Sequence, residues 1–461
     1  MTDSLDVINP ATEDVFARVE QTSAEQIEAS LAAASRAARA WRRVPLAERI
    51  ATTHRFLDVF TEQAENIAAE MTHQIGKPIS QARGEVRTMR ARAEHMAEIA
   101  EASLADLRIA EGPDEYKRIA HEPLGVVFDV AAWNYPFLIA INVVAPGIMA
   151  GNAVVLKHSR LTPLCGLRLE RAYRAAGAPE GVMTAIVADR ARAEAVLRSP
   201  HIDAVFFTGS VEAGRQVYQT TSSGLIDVGL ELGGKDPAYV RADADLDVVV
   251  PNVADACFYN AGQSCCAVER IYVHRSRYDA FLDAMVGEVS GYRLGDPIEE
   301  ETYLGPVALA KTIETMNAQL DEAAARGARV LCGGRATSVN GRGRFYEPTI
   351  VADCAHDLTI MQEENFGPLV GVMPVADDDE AVRLMNDSRY GLSASIWTSD
   401  LEVGQRLAGA VEAGTVFVNR ADFLDPALAW VGIKDSGKGC TLSRLGYHHL
   451  TRPKSYYARP L

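Results

Sequence analysis

The chain has 461 residues, of which 48% are hydrophobic and 23% are charged, a composition that excludes a disordered, collagen-like or disulfide-stapled protein. At roughly 150 residues per domain, this length suggests about three domains, or two with insertions. The 46 basic and 62 acidic residues give a net charge of −16, and a surface of that sign repels phosphate backbones, which argues against nucleic acid as a partner.

Targeting and metal-binding motifs are not found. The first six residues lack the basic start and apolar core of a signal peptide. The most apolar stretch, 136–151, is shorter than the ~20 residues of a membrane-spanning helix, so we expect a buried helix there, no membrane partner and a cytoplasmic location. The seven cysteines include no CxxC pair and the ten histidines no HExxH motif. We therefore expect no metal site and reduced thiols.

Helical and strand signals divide the chain. Residues 24–104 are predicted to be helical, because apolar residues recur there at helical spacing. From residue 124 onward, short β-rich runs alternate with helical segments, a pattern typical of βαβ units around a parallel sheet. The predicted strands lie near 126–128, 154–156, 205–207, 269–274, 369–375 and 415–419, and the predicted helices at about 136–150, 162–176 and 191–198.

Two segments in the first half contain candidate binding groups. Asn134 lies in a predicted turn between a strand and an apolar helix. Its amide suits an oxyanion hole because it donates without carrying charge, but asparagine is also a common turn and cap residue. Gly209 and Ser210 precede a predicted helix with Gly214, and such a helix N-terminus binds anions such as a pyrophosphate. The spacing is Gly-x4-Gly rather than GxGxxG, so this segment does not by itself establish dinucleotide binding.

Two later segments contain candidate reactive groups. Glu231 follows an apolar predicted strand and precedes two glycines. In a crevice such a carboxylate has a raised pKa and serves as a general base, whereas a solvated one has no such role. Cys265 and Cys266 follow an apolar, helix-like run and a glycine. Either thiol is a candidate nucleophile if it faces a cleft; otherwise both are buried structural cysteines.

In content, order and separation, these four segments resemble those of the aldehyde dehydrogenase family. The resemblance extends from the segment 7–12 to the last twenty residues of the chain. Its further landmarks are Lys157 with Thr162-Pro163-Leu164, the segment Glu364-Asn365-Phe366-Gly367-Pro368 and the segment 434–439.

The resemblance implies an α/β fold with a Rossmann-type cofactor domain and an α/β catalytic domain. Residues 1–104 and 124–233 would form the NAD(P)-binding domain, and residues 234–445 the catalytic domain. Residues 105–123 and 446–461 would form a small bridging β-sheet element. A strand at a chain end needs a partner, and we expect a neighbouring subunit to provide it in a homodimer or homotetramer.

The resemblance also implies oxidation of a small-molecule aldehyde to the carboxylic acid. Cys265 would attack the carbonyl carbon, and Asn134 together with the Cys265 N–H would hold the oxyanion of the hemithioacetal. After hydride transfer, Glu231 would activate the water that hydrolyses the thioester, so the product is a free acid rather than an acyl-CoA. Two alternatives remain, namely a cysteine esterase or thioesterase that needs no cofactor and a non-catalytic scaffold of the same fold.

For the cofactor, the resemblance implies NAD or NADP. Lys157 would bind the adenosine ribose, Gly209 and Ser210 the pyrophosphate, and Glu364 the nicotinamide ribose. Arg160 stands where NAD-selective relatives often have a glutamate, and it could pair with a 2′-phosphate, which favours NADP slightly. The remaining expected cofactor residues are Trp133, Gly214, Leu232 and Phe366.

The resemblance places a substrate tunnel along nine residues, which are Met89, Tyr135, Leu138, Ile139, Asn142, Asp255, Tyr259, Leu424 and Trp430. Its three aromatic rings and Asp255 could hold an amine or ammonium group, although Asn142 stands where cage-forming relatives have another aromatic residue. The alternatives are an ordinary aliphatic or aromatic aldehyde, or a semialdehyde acid whose carboxylate reaches Arg87 or Arg90.

Overall fold

A computed structural model describes residues 4–112 and 115–460 of the chain. Three parts of the chain lie outside the described residues. They are the start of the N-terminal segment in which a signal peptide was sought, residues 113 and 114 of the expected bridging element, and residue 461.

The N-terminal part consists of a hairpin, four helices and two strands. Its elements are β1 (Ser4–Ile8), β2 (Val15–Glu20), α1 (Ala24–Trp41), α2 (Leu46–Thr61), α3 (Ala64–Ile75), α4 (Ile79–Leu104), β3 (Leu107–Glu111) and β4 (Tyr116–Pro123). The predicted helical region is confirmed. Helix α1 begins with a capping box, in which the Ser23 and Gln26 side chains each bond the other residue's backbone N–H.

Strands and helices then alternate, as predicted. The elements are β5 (Val126–Ala131), α5 (Pro136–Ala150), β6 (Ala153–His158), α6 (Pro163–Ala175), β7 (Met183–Ile186), α7 (Arg190–Leu197), β8 (Ala204–Thr208), α8 (Val211–Thr221) and β9 (Asp227–Glu231). Helix α5 is almost entirely buried, as its apolar sequence predicts. Among the described residues, no helix is both long and apolar enough to cross a membrane.

The second series begins with β10 and ends with the C-terminal strand. Its elements are β10 (Asp236–Val240), α9 (Leu246–Phe258), a 3₁₀ helix (Tyr259–Gly262), β11 (Val268–His274), α10 (Tyr278–Ser290), α11 (Ala310–Ala325), β12 (Arg329–Cys332), β13 (Ala336–Val339), β14 (Arg342–Tyr346), β15 (Thr349–Ala352), α12 (Thr359–Gln362), β16 (Leu369–Val375), α13 (Asp378–Asn386), β17 (Tyr390–Gly391), β18 (Ser393–Trp397), α14 (Leu401–Ala408), β19 (Thr415–Val418), β20 (Ile433–Lys434), β21 (Gly437–Lys438), α15 (Ser443–His449) and β22 (Thr451–Ala458).

Two large sheets organise these elements. The first has the order β21-β9-β8-β5-β6-β7, and the second has the order β12-β15-β16-β11-β10-β18-β19. Neighbouring strands are parallel in both sheets, except that β21 runs antiparallel to β9 and β12 antiparallel to β15. The α/β class predicted from the alternating pattern is therefore confirmed, and the carboxyl ends of β5, β6, β8 and β9 lie along one edge of the first sheet.

The C-terminal strand finds its partner within the chain. Strand β22 pairs antiparallel with β4 over eight residues, from Thr451 opposite Pro123 to Ala458 opposite Tyr116, and β3 pairs with the other side of β4. Strand β4 therefore supplies a partner for one edge of β22, and pairing of the outer edge with a neighbouring subunit stays a prediction.

The core of the first sheet contains an unpaired acid. Asp129 lies in the middle of β5 and is 1% exposed, and its Oδ2 has no hydrogen-bond partner among the described residues. Burial and, secondly, the charge of Glu231 raise the pKa of Asp129 well above its usual value. Burial therefore favours the protonated form of this carboxyl in the folded chain.

We expect Asp129→Val to raise the free energy of unfolding by about 1–3 kcal/mol at pH 8, because it removes an unsatisfied buried polar group. The pKa of Asp129 is higher in the folded than in the unfolded chain. Its contribution to the free energy of unfolding is therefore most favourable below the unfolded pKa of about 3.9, and it is lost as pH rises through the folded pKa. The gain should therefore be larger at pH 8 than at pH 5 in denaturant titrations. Asp129→Asn, which does not titrate, should remove the same pH dependence; an equal gain at both pH values would contradict the account.

Candidate active site

Two cavities meet at the carboxyl edge of the first sheet. One has a volume of about 500 Å³ and the other of about 360 Å³. Three residues line both cavities, namely Thr208, Glu231 and Cys265. Ligands of open α/β sheets bind at such strand ends, so a molecule in either cavity contacts the same thiol and the same carboxylate.

A strained turn positions Cys265 at this junction. Asn260 and Ala261 have φ angles of 54° and Gly262 of 69°, so three consecutive residues are left-handed, which costs about 1–2 kcal/mol for each non-glycine residue. The Asn260 N–H donates to Gln81 Oε1 at 3.0 Å, and Gln263 Nε2 donates to the Asn260 carbonyl at 3.0 Å. These buried bonds hold the turn and direct the following thiol into the cavities.

Asn134 belongs to the same hydrogen-bonded network. Its Nδ2 donates to the Gln263 carbonyl at 3.1 Å, and Asn260 Nδ2 donates to the Asn134 carbonyl at 3.1 Å. Asn134 is buried and lines the larger cavity together with Cys265. The Asn134 amide carries two N–H donors. One of them is bonded to the Gln263 carbonyl, and the second remains beside this cavity.

Glu231 ends β9 and is held by two hydroxyls. Thr441 donates to Oε1, and Thr208 donates to Oε2 at 3.4 Å. Burial raises the pKa of Glu231, while the Thr441 bond, the charge of Arg92 and the Thr208 bond oppose that shift. Glu231 is half-buried, and a carboxylate with a raised pKa is suited to act as a general base. The two hydroxyl bonds distinguish it from a freely solvated strand end.

The two adjacent cysteines have different surroundings. Cys265 is partly exposed and lines both cavities, whereas Cys266 is 3% exposed and lines only the smaller one. Cys266 Sγ donates to Asp422 Oδ1 at 2.9 Å, and Ser264 donates to the same oxygen at 3.0 Å. The hydrogen bond with Cys265 and burial raise the pKa of Cys266 well above its usual value. Since a thiolate is the reactive form, these surroundings make Cys266 the less nucleophilic thiol.

Most of the expected cofactor residues line the larger cavity. Those that do are Trp133, Lys157, Gly209, Ser210, Leu232, Glu364 and Phe366. Gly214 and Arg160 depart from the expectation, because neither is a lining residue. Gly214 lies beneath the wall, where a Cβ would come within 2.4 Å of Leu232 Cδ2. Arg160 is exposed, and its charge lowers the pKa of Lys157 after the larger effect of burial.

The smaller cavity contains all but one of the expected tunnel residues. Its walls include Tyr135, Leu138, Ile139, Asn142, Asp255, Tyr259, Leu424 and Trp430. Met89 is the exception, since its side chain is fully buried in the helical core and does not line the cavity. Met89 lies on the same buried face of α4 as Glu85 and Arg92, but its side chain packs into the hydrophobic core instead of reaching the cavity.

The ammonium group of Lys77 covers part of the aromatic wall of the smaller cavity. Lys77 Nζ lies 3.8 Å from the centre of the Tyr135 ring and pairs with Glu85, and both charged groups are buried. Glu85 also accepts from the Phe137 N–H at 2.8 Å, at the start of α5. Asp255 accepts from the Tyr303 hydroxyl at 2.6 Å. One face of Tyr135 is therefore not available to a substrate ammonium group.

The two arginines expected to reach a substrate carboxylate do not line the cavity. Arg87 is exposed, and Arg90 is bound to Asp58 and Glu94. Arg92, which the sequence analysis missed, is 5% exposed and lines the cavity. Helical spacing was the available signal, because Arg92 follows Met89 and Glu85 on the buried face of α4.

Comparisons with known proteins agree with this geometry. The aldehyde dehydrogenase family matches residues 1–456. The chain is 35% identical over 453 residues to a succinate-semialdehyde dehydrogenase [NADP(+)] of Mycolicibacterium paratuberculosis, covering 98% of this chain and 96% of that protein. The crystal structure of an NAD-dependent aldehyde dehydrogenase from Sinorhizobium meliloti matches with a TM-score of 0.96 and 33% identity, over 99% of this chain and 91% of that one.

A betaine aldehyde dehydrogenase of Staphylococcus aureus in complex with NAD+ matches with a TM-score of 0.94 and 30% identity, over 99% of this chain and 94% of that one. The chain belongs to the aldehyde dehydrogenase family. It is an NAD(P)-dependent oxidoreductase that oxidises an aldehyde to a carboxylic acid.

The larger cavity of this aldehyde dehydrogenase fits NAD or NADP. Gly233 leaves room for Glu364, since a Cβ there would lie 2.4 Å from Oε1, and the Gly234 N–H donates to the same oxygen at 3.1 Å. Burial and the charge of Glu269 raise the pKa of Glu364 to about 8. A carboxyl group with this environment is suited to ribose hydroxyls, and Ser210 at the N-terminus of α8 is suited to a pyrophosphate.

Proposed function

We propose that Cys265, Asn134 and Glu231 carry out the oxidation, with Cys265 as nucleophile. The supporting observation is that Cys265 and Glu231 line both the cofactor cavity and the substrate cavity. A thiolate at this junction can attack an aldehyde that enters from one side while a cofactor lies on the other. The bound nicotinamide supplies a hydride acceptor.

Asn134 stabilises the oxyanion of the hemithioacetal. Its amide donates without charge, and its place in the network with Gln263 and Asn260 fixes its direction before the substrate arrives. Preorganised donors of this kind contribute about 3–4 kcal/mol to lowering the barrier. The Cys265 N–H is the second proposed donor.

Glu231 takes a proton from the water that hydrolyses the thioester, and this gives a free acid. Its raised pKa makes it a better base than a solvated carboxylate. A cofactor-independent esterase or thioesterase could use the same thiol and carboxylate, but it would need neither the cavity beside Lys157 nor the Glu364 environment. A non-catalytic scaffold would need neither reactive group.

NADP is the favoured cofactor in this proposal, through Arg160. Its guanidinium is exposed near Lys157, and no hydrogen bond or ion pair of that side chain is found among the described residues. It is therefore available for two charge-assisted bonds to a 2′-phosphate. Gly214 supports the pyrophosphate site from below by allowing Leu232 to pack against α8.

The assembly and location of the enzyme follow as further parts of the proposal. Residues 1–104 and 124–233 bind the cofactor, residues 234–445 form the catalytic part, and residues 105–123 with 446–461 form a bridging element for a homodimer or homotetramer. Support for an interface comes from apolar side chains that β3 leaves exposed, Leu107 and Ile109. A cytoplasmic location fits the free cysteines.

We expect Cys265→Ala to abolish aldehyde oxidation, because it removes the thiolate that forms the covalent bond. Cys266→Ala is the matched control and should retain activity, since that thiol is buried against Asp422. Mass spectrometry of the trapped acyl-enzyme checks the position. An adduct on Cys266, or full activity of the Cys265 variant, would overturn the assignment.

We expect Glu231→Gln to slow thioester hydrolysis about 10²–10⁴-fold, because the amide keeps the shape but cannot accept a proton. Stopped-flow absorbance at 340 nm should record a burst of reduced cofactor followed by slow turnover. Glu363→Gln, on an exposed neighbour of the cofactor segment, serves as the control. An unchanged steady-state rate at saturating aldehyde would exclude Glu231 as the base.

We expect Arg160→Glu to change the ratio of kcat/KM for NADP and NAD at least tenfold toward NAD. The glutamate repels a 2′-phosphate, whereas the arginine donates bonds worth about 1.5–3 kcal/mol each. Arg36→Glu, an equal charge change on the exposed side of α1, should leave the ratio unchanged. A change below about twofold in the Arg160 variant, at one ionic strength, would show that this side chain points away from the ribose.

A further inference from the structure

Arg92 is a buried cation in the wall of the substrate cavity. Its Nη1 donates to the Leu138 carbonyl at 3.1 Å and to Asn142 Oδ1 at 2.9 Å. Its Nε is buried and has no hydrogen-bond partner among the described residues. In the catalytic scheme above this guanidinium acts only through the effect of its charge on Glu231, and no bonding role has been assigned to it.

The charge of Arg92 has no carboxylate partner within ion-pair distance in the described parts of the chain. Glu231 and Glu85 are the acids whose charges act on Arg92, and neither forms an ion pair with it, since Glu85 pairs with Lys77 and Glu231 accepts from Thr441. Burial lowers the pKa of Arg92 to about 10 although these two charges oppose the shift, which still leaves it charged at neutral pH. A buried charge without a close partner is costly, so an anion in the cavity would stabilise it.

One nitrogen of the guanidinium remains available to an anion in the cavity. Both bonds to protein acceptors come from Nη1, and no bond of Nη2 is found among the described residues. Nε is enclosed by protein atoms, so Nη2 is the donor that Arg92 can present to the cavity that it lines. An N–H of a charged guanidinium gives a charge-assisted hydrogen bond to a carboxylate oxygen.

We propose that Arg92 binds a carboxylate at the far end of the substrate, so that the preferred substrates are aldehydes with a second, anionic carboxylate terminus. This inference rests on the proposed function, because it requires the aldehyde carbon to reach Cys265. Arg92 acts as a specificity-determining residue, and Asn142 orients it by accepting from Nη1.

Other features of the cavity agree with an anionic terminus. The positive charge of Arg92 disfavours an ammonium group at this end of the cavity, and Lys77 already covers one face of the Tyr135 ring. Arg420 also lines the cavity, but it is exposed and lies 4.0 Å above the Phe423 ring. A charge in water gains little from an ion pair, so Arg420 is the weaker candidate.

The first test compares three aldehydes of the same chain length on the wild-type enzyme. They are the anion 4-oxobutanoate, the neutral butanal and the cation 4-trimethylammoniobutanal. The quaternary nitrogen of the last compound cannot add to its own aldehyde, so this compound does not cyclise. We expect kcat/KM for 4-oxobutanoate to exceed that for butanal at least thirtyfold and to exceed that for the cation by more. Equal values for 4-oxobutanoate and butanal would overturn the inference and leave the proposed function standing. No oxidation of any aldehyde with either cofactor would instead contradict the proposed function.

The second test assigns the preference to Arg92. In Arg92→Gln the ratio of kcat/KM for 4-oxobutanoate to that for butanal should collapse at least thirtyfold, with most of the change in KM. Arg92→Lys, which keeps a point charge without the planar fork, should have an intermediate ratio. Arg87→Gln, one exposed arginine of the same helix, should leave the ratio unchanged.

Three results would contradict this assignment. An equal loss for both aldehydes would mean that Arg92 only supports Asn142 and the start of α5. A collapse of the ratio in Arg420→Gln but not in Arg92→Gln would place the anion at the cavity mouth. If Arg92→Gln fails to fold, the wild-type comparison and Arg92→Lys still decide, because a lysine variant with the full wild-type ratio excludes a specific role of the guanidinium group.

Discussion

The left-handed turn from Asn260 to Gly262 is the constraint on which the arrangement of the site depends. It reverses the chain between α9 and Cys265, and its backbone cost is offset by buried amide bonds to Gln81 and Gln263. Gly262 lies so close to the Gly367 carbonyl that a Cβ would come within 2.3 Å of that oxygen. The turn thus packs directly against the segment that carries Glu364 and Phe366. The position of the thiol and the wall of the cofactor cavity are therefore set by one contact.

Buried charges in the surrounding walls are paired, with few exceptions. Lys235 and Glu269 form a buried ion pair at 2.7 Å, and Glu269 also accepts from the Asn365 and Phe366 N–H groups at 2.9 and 3.0 Å. Such pairs contribute little net stability, but these bonds fix the backbone that leads into the cofactor cavity.

Glu85 has the equivalent role on the substrate side. It pairs with Lys77 and accepts from the Phe137 N–H at the first turn of α5, where a negative charge is favourable. Both pairs therefore hold the segments that bear functional groups. Against this background Arg92 stands out, because it is equally buried but forms no ion pair among the described residues, and the charges of Glu231 and Glu85 act on it only from a greater distance.

The sequence predicted the fold well, because the information for it is local. The alternation of β-rich runs with helical segments is a short-range pattern, and the strands at 126–131 and 204–208 follow from it. The ends of two apolar elements marked Glu231 and the adjacent thiols as candidates, but the choice of Cys265 and the roles of both residues came from the resemblance to the family. Met89 was assigned wrongly to the tunnel and Arg92 was missed, because the information about their positions is not local. Their environments depend on how α4 packs against α5. Helical spacing within residues 79–104 indicates the buried face of α4, but it does not determine which residues of that face reach the cavity.

The environment of the Glu231 carboxylate depends on a C-terminal segment that the sequence pattern did not connect with it. The short strand β21 pairs with the end of β9, with Gly437 opposite Glu231, so the segment that follows β19 leaves the second sheet and joins the edge of the first. Thr441 follows four residues later and donates to the Glu231 carboxylate. Because that bond opposes the effect of burial on the pKa of Glu231, the basicity of this carboxylate depends on how the C-terminal segment joins the two sheets.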